Sequence, residues 1–333
     1  MAKRKLSQQQ RRRIRERERE RITRPSSVEG ESSGETGLII AHHGKQVELE
    51  DARGERHRCH LRANLDQLVA GDRVLWQPGS KNEHGVVVAV EPRHSELRRP
   101  DPYGRLKPLA ANVDRLLVVL APVPTASSLL VDRYLVAAEL SAIEPVLVFN
   151  KADLLDEPQT REAADRLRRL YTEIGYDFLE VSASTGQGIE PLQHALEGHT
   201  GVLAGQSGVG KSALVNALLP EAQLPTGSVS DTGLGQHTTT AARLFHLPGS
   251  GDLIDSPGVR EFGLWHISEE ELLRGYRDLA PLATECRFRN CSHRHEPGCA
   301  LHAAVEEGRI DPQRMENFFR IAETLDPGKR QKY

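Results

Sequence analysis

The chain has 333 residues, 38% hydrophobic and 27% charged, which supports packed soluble cores and argues against wholesale disorder. At roughly 150 residues per domain, the length points to two domains with room for a small third. No run approaches about 18 uncharged apolar residues, which excludes a membrane-spanning helix, and the charged N-terminus has no apolar stretch of the secretory type, so the expected compartment is the cytoplasm.

The net charge of −3 conceals an asymmetry. Residues 1–25 hold two Lys, nine Arg and three Glu, a net charge of +8, which leaves −11 for the remainder. A basic arm on an acidic body suits a polyanionic partner such as nucleic acid. The arm runs into a Ser-, Glu- and Gly-rich linker after Pro25, so residues 1–35 read as a basic disordered arm and linker. Thr36–His42, Gln46–Asp51, Glu55–Leu61, Arg73–Gln77 and Gly85–Val90 read as strands, separated by turn signals such as His43-Gly44 and Pro78-Gly79. Five short strands in so short a span predict a small barrel over 36–98, of OB or SH3-like type. Residues 96–112, restricted by Pro92, Pro100, Pro102 and Pro108, read as a connector.

The hydrophobic period then changes. Buried-strand runs at Arg115–Leu120, Val146–Phe149, Phe178–Val181 and Val202–Ala204 alternate with helical patterns at Leu129–Leu140, Gln159–Ile174, Ile189–Leu196 and Lys211–Leu219. Arg243–Leu247 and Asp252–Ile254 add two strands. This alternation predicts an α/β domain over 99–265 with a mainly parallel sheet. Beyond it, Glu269–Tyr276, Leu301–Glu307 and Pro312–Leu325 read as helices of a small unit, 266–333, whose thin core calls for a staple.

Gly205-Gln206-Ser207-Gly208-Val209-Gly210-Lys211-Ser212 fits the phosphate loop G-x-x-x-x-G-K-[ST], between a strand and a helix as the motif requires. Converging backbone N–H groups and the helix N-terminus favour an anion. Lys211 is placed to neutralise β/γ-phosphate charge, and Ser212 to hold Mg²⁺. Asn150-Lys151-Ala152-Asp153 follows a buried strand. A carboxylate at Asp153 can accept from guanine N1–H and N2–H₂, a donor pair adenine lacks. Asn150 can brace neighbouring loops, and the Lys151 stem can cover the base. Ser182-Ala183-Ser184 follows the next strand and can offer a backbone N–H to the guanine oxygen. Asp255-Ser-Pro-Gly258 fits D-x-x-G, with Asp255 towards Mg²⁺ and Gly258 sensing the γ-phosphate. Between the loop and this motif, Thr226–Thr240 reads as a switch segment.

These motifs run guanine-reading first and phosphate loop second, the reverse of Ras-like GTPases, as in a permuted chain. With the front barrel, Gly235-Gln-His-Thr-Thr-Thr240 and the C-terminal Cys-x₄-Cys-x-His-x₅-Cys, the sequence closely resembles the RsgA (YjeQ) family. Those proteins are bacterial GTPases that depend on the small ribosomal subunit and act in its late maturation. The resemblance spans about residues 36–325. It implies a multidomain α/β protein: an N-terminal OB-type barrel, a circularly permuted P-loop GTPase domain and a C-terminal α-helical zinc-binding module. It further implies that Thr238 and Thr239 serve GTP from the switch, with Thr239 joining Ser212 and Asp255 at Mg²⁺. Val259 stands where Ras-type enzymes place the water-orienting Gln, and the resemblance implies His237 in that role. Leu234 and Gln236 stand where the family commonly has basic residues.

Cys286, Cys291 and Cys299 fall close together in a chain expected in a reducing compartment, which favours a metal over disulfides. Three thiolates and one imidazole suit closed, structural, tetrahedral Zn²⁺. His295 and His302 are rival nitrogen donors; spacing and the resemblance favour His293. The expected partners are GTP/GDP and the small subunit with its rRNA, met by a monomer with no membrane contact. Two other readings compete: a permuted GTPase of large-subunit assembly, and an RNA-binding scaffold with a structural nucleotide.

Overall fold

The computed structural model describes residues 34–325, except 63, 64, 66, 81–83, 102, 126, 221–241, 257–263, 265 and 266. The basic arm to residue 33, the switch segment with Leu234, Gln236, His237, Thr238 and Thr239, and Gly258 and Val259 therefore lie outside the described residues.

The first five strands are β1 (Glu35–His43), β2 (Gln46–Asp51), β3 (Arg56–Leu61), β4 (Arg73–Gln77) and β5 (Gly85–Val90), within one residue of the predicted runs. They pair in the order β1-β2-β3-β5-β4, and β4 returns to β1 to close a barrel. Only β3 and β5 pair in parallel. That closure is OB-type and resolves the two barrel classes left open by strand count. Alternation explains the walls: Gly85, Val87 and Ala89 of β5 point inward and their neighbours are part-exposed. Ile39, Leu49, Cys59, Trp76 and Val87 fill the interior. Cys59 is a wall residue, and burial pushes its thiol up to about 11.

The expected connector is instead a hairpin, β6 (Glu96–Pro100) with β7 (Leu106–Ala111). Pro100 ends its strand, and Pro108 lies next to the irregularity in the β6–β7 register, places where a strand tolerates a residue without an N–H.

The α/β region runs β8 (Arg115–Leu120), α1 (Ser128–Leu140), β9 (Glu144–Phe149), α2 (Pro158–Glu173), β10 (Asp177–Glu180), α3 (Ile189–His194), β11 (Thr200–Ala204), α4 (Lys211–Leu218), β12 (Arg243–His246) and β13 (Asp252–Asp255). Its sheet order is β10-β9-β8-β11-β13-β12, parallel except for β12. The run Leu116–Leu120 is buried throughout, as a central parallel strand covered on both faces requires. β12 also pairs with β1 through Arg243 and Ala41, so barrel and sheet are continuous. At this joint Arg243 donates to both Glu48 oxygens at 3.0 and 2.9 Å. His246 bridges Asp252 at 2.6 Å and Glu50 at 2.7 Å.

Four helices follow: α5 (Glu269–Arg274), α6 (Leu279–Ala283), α7 (Ala300–Glu306) and α8 (Pro312–Leu325). A Ser268/Glu271 capping box starts α5. α6 falls outside the predicted helices; its Pro281 lies within the first turn, where a missing N–H costs nothing. These helices do not build a separate thin core. Tyr276, Phe318 and Ile321 join Val131, Leu135 and Ala138 of α1 in one cluster. Among the described residues, no helix is long and apolar enough to cross a membrane.

Candidate nucleotide and metal sites

The parallel strands β8, β9, β10, β11 and β13 deliver their carboxyl ends to one rim, the usual ligand edge of such sheets. Gly205 leaves β11, Asn150 leaves β9, Ser182 lies two residues beyond β10, and Asp255 ends β13. Motifs scattered over about a hundred residues thus share one end of the sheet.

The loop 205–210 needs its glycines for backbone angle and for space. Gly205 has φ +140°, and a Cβ there would stand 2.4 Å from the Val119 carbonyl oxygen. Gly210 has φ +94°, and its Cβ would stand 2.3 Å from Asn150 Nδ2. α4 starts directly after Gly210, so its first-turn N–H groups face the loop. Lys211 Nζ donates to the Gly205 and Gln206 carbonyls, both at 2.7 Å, which holds the ammonium over the loop.

Asn150 is 1% exposed and ties the two halves of the site together. Its Nδ2 donates to the Val209 carbonyl at 2.9 Å, and its Oδ1 accepts from Ala183 N–H at 3.2 Å. The phosphate loop and the loop after β10 are therefore set by one side chain. Lys151, at φ +61°, stretches across to the Val123 and Gly208 carbonyls at 2.6 and 2.8 Å. Asp153 accepts from Ser182 Oγ at 2.5 Å, and that hydroxyl also meets Ser184 Oγ at 2.9 Å. The Ser182 hydroxyl holds the Asp153 carboxyl below its usual range, so it is the anion that a guanine edge requires. Ala152 N–H donates to the Val181 carbonyl, fixing the turn that presents Asp153. Ser212 and Asp255 are exposed at this rim, and both offer the hard oxygen donors that Mg²⁺ takes.

The sequence reading missed the segment after β8. Gln206 Nε2 donates to the Pro124 and Thr125 carbonyls, both at 3.2 Å. Tyr134 of α1 sits beneath Gly205, with its hydroxyl bonded to that residue's backbone. The available signal was Pro122 and Pro124 directly after a buried strand, which marks a shaped loop. A cleft of about 380 Å³ lies at the opposite, amino end of the strands, against Asp114, Arg115, Glu144 and His199, and contains none of the predicted site residues.

The candidate metal ligands converge between α6 and α7. The donor atoms of Cys286, Cys291, His293 and Cys299 all lie within 4.8 Å of one another. Cys286 Sγ is 4.0 Å from Cys299 Sγ, and His293 Nδ1 is 3.5 and 3.6 Å from these two sulfurs. A tetrahedral ion with metal–sulfur bonds of about 2.3 Å has edges of about 3.5 to 3.8 Å, so the set fits. Ala300 N–H donates to Cys286 Sγ at 3.3 Å, which fixes the direction of that sulfur. Burial lowers the His293 pKa, keeping the imidazole in its ligating neutral form. The rival histidines are placed elsewhere: His295 is exposed, and His302 Nε2 meets the Arg294 carbonyl at 3.2 Å. The Glu296 carboxylate folds the intervening knuckle by accepting from the N–H groups of Ser292, Arg294 and His295.

The family model described as RsgA GTPase matches residues 90–265. A small ribosomal subunit biogenesis GTPase RsgA of Alcanivorax borkumensis is 54% identical, over 100% of this chain and 99% of the relative. The protein of that name from Ectopseudomonas mendocina is 51% identical over 98% of each. Among solved structures, YjeQ from Thermotoga maritima matches at 34% identity and a TM-score of 0.74, covering 89% of this chain and 99% of that one. YloQ, described as a circularly permuted GTPase, matches at 27% and 0.72, covering 92% and 100%.

Proposed function

Because the chain belongs to the RsgA GTPase family, and so is a GTP hydrolase, we propose that it binds the small ribosomal subunit as a monomer in the cytoplasm, acts in late maturation of that subunit, and turns over GTP faster when bound to it. One observation carries this reading: near full-length relatives at 54% and 51% identity are named for small-subunit biogenesis.

The site residues divide the work. Residues Gly205, Gln206, Ser207, Gly208, Val209 and Gly210 present backbone N–H groups to the phosphates, and Lys211 offsets their negative charge. Asp153, held ionised by Ser182, reads the guanine edge, while Lys151 covers the base and Ala152, Ala183 and Asn150 fix the loops. Ser212, Asp255 and Thr239 would hold Mg²⁺, which when bound neutralises developing phosphate charge. Gly258 senses the γ-phosphate, and Thr238 shares the switch's contact with GTP. His237 orients the attacking water in place of the Gln that Val259 replaces. Phosphoryl transfer needs positioning more than covalent chemistry, so ordering the switch on a partner accelerates it. Cys286, Cys291, His293 and Cys299 would hold one structural Zn²⁺; four protein donors leave no position for chemistry.

With the body at −11 and the arm at +8, rRNA contact runs through the arm and local basic patches on the barrel and metal module, mostly at phosphates. Co-sedimentation tests the partner: purified small subunits should retain the chain with a non-hydrolysable GTP analogue and release it with GDP or raised salt. Equal retention with both nucleotides would contradict nucleotide-controlled binding.

A further inference from the structure

The faces of α1 do two different jobs. At about 100° per residue, Ser127, Leu130 and Tyr134 fall on one side, and all three line a small cavity under Gly205, Gln206 and Val209. Ser128, Asp132 and Val136 fall on the other side, which meets the C-terminal helices. There Val136 packs so closely on Gly275 that a Cβ would stand 2.4 Å from Val136 Cγ1.

At the centre of that second face lies an ionic network, most of it fully buried. Asp132 is 0% and Arg314 of α8 is 1% exposed. Arg314 donates to Asp132 at 2.5 Å and to both Asp278 oxygens at 2.9 and 2.7 Å. Asp132 also accepts from Tyr171 at 2.7 Å and from Asn317 at 2.8 Å. The guanidinium stacks over Tyr276 at 4.5 Å, and Tyr276 meets Phe318 edge-on. Phe318 is followed by Phe319, over which Arg294 of the metal knuckle lies at 4.9 Å. At the other end, the network reaches the first residue of α1: Asn317 donates to Ser128 Oγ and Tyr171 to the Ser128 carbonyl. The residues just before it, Val123–Thr125, accept from Lys151 and Gln206 of the nucleotide site. One rigid helix thus touches the phosphate loop on one side and the metal-bearing helices on the other.

We infer that Asp132 and Arg314 are positioning residues for the nucleotide site, and that through α1 they couple nucleotide occupancy to metal retention in the C-terminal module. Such coupling is reciprocal: whatever nucleotide does to the metal site, the metal site does to nucleotide affinity. The inference rests on reading loop 205–212 as the GTP site. It makes α1 a link between the two sites that does not pass through Asp255–Gly258.

The test loads the full chain with zinc and follows metal release to a colorimetric chelator without nucleotide, with GDP and with a non-hydrolysable GTP analogue. Fluorescent GDP reports occupancy in parallel. In the unmodified chain, bound nucleotide should slow release several-fold. Arg314→Lys keeps the buried charge but cannot fork across both carboxylates, and it should bring the nucleotide effect close to onefold with one zinc still bound. If that variant does not fold by circular dichroism, Tyr171→Phe removes the one hydroxyl that meets Asp132 and the Ser128 carbonyl, and should diminish the effect in the same direction. Bound GDP without any change in release overturns the coupling alone. A folded variant that retains the full nucleotide effect overturns the role of the network. Absence of GDP binding overturns the site reading, and the coupling with it.

Discussion

Asn150→Ala is the sharpest perturbation of the nucleotide site, because one buried side chain serves two loops. Truncation removes the donor to the Val209 carbonyl and the acceptor from Ala183 N–H, at 2.9 and 3.2 Å. The residue is 1% exposed, so neither group readily recovers a partner. Each uncompensated buried group costs about 1–3 kcal/mol, and two such groups together about 2–4 kcal/mol when the loops relax partially. At about 1.4 kcal/mol per tenfold, GDP affinity should fall by roughly 30-fold or more if the cost lies in presenting the site. Fluorescent GDP titration measures this, with thermal melting run alongside to register global stability. A folded variant with unchanged GDP affinity would refute the argument, whatever its melting temperature, because the bridge would then be a packing feature only.

Two further predictions rest on single side chains. Asp153→Asn should shift preference from guanine to xanthine nucleotides, since an amide N–H₂ suits the extra keto oxygen; competition binding with the two diphosphates reads it, and an unaltered preference contradicts the guanine assignment. At the barrel joint, burial pulls the His246 imidazolium down, but Asp252 and Glu50 outweigh it and raise the pKa above the ordinary 6.5. A raised folded pKa stabilises fully below about 6.5 and loses that contribution as pH climbs through the raised value. Melting temperature should therefore decline over that interval in the native chain, and His246→Gln should flatten the decline; parallel profiles would show that the bridge does not matter.

The sequence made most elements legible because their hydrophobic patterns are clean. The apolar runs Arg115–Leu120 and Gly85–Val90 both read as strands and both are found, the first buried almost throughout and the second at every other residue. Strand count alone left the barrel class open, because it does not contain pairing; the resemblance supplied the OB type, and the β3–β5 parallel ladder agrees with it. The β6–β7 hairpin was hidden by its prolines, which strands tolerate at their ends and beside bulges. In the nucleotide site, contiguous motifs were readable because backbone geometry fixes their chemistry. The carbonyls of Val123, Pro124 and Thr125 were not, because main-chain acceptors leave no side-chain signature. His293, favoured among three histidines by spacing and the resemblance, is the ring that lies among the three sulfurs. The Asp132–Arg314 network joins residues 182 positions apart, and neither belongs to a motif.

The central claim is tested most directly by steady-state GTP turnover of the full chain alone, with purified small ribosomal subunits, and with large subunits. A slow intrinsic rate, strongly accelerated by small subunits and unchanged by large ones, is the predicted result. Turnover that is indifferent to small subunits, or equally accelerated by both, would contradict the account.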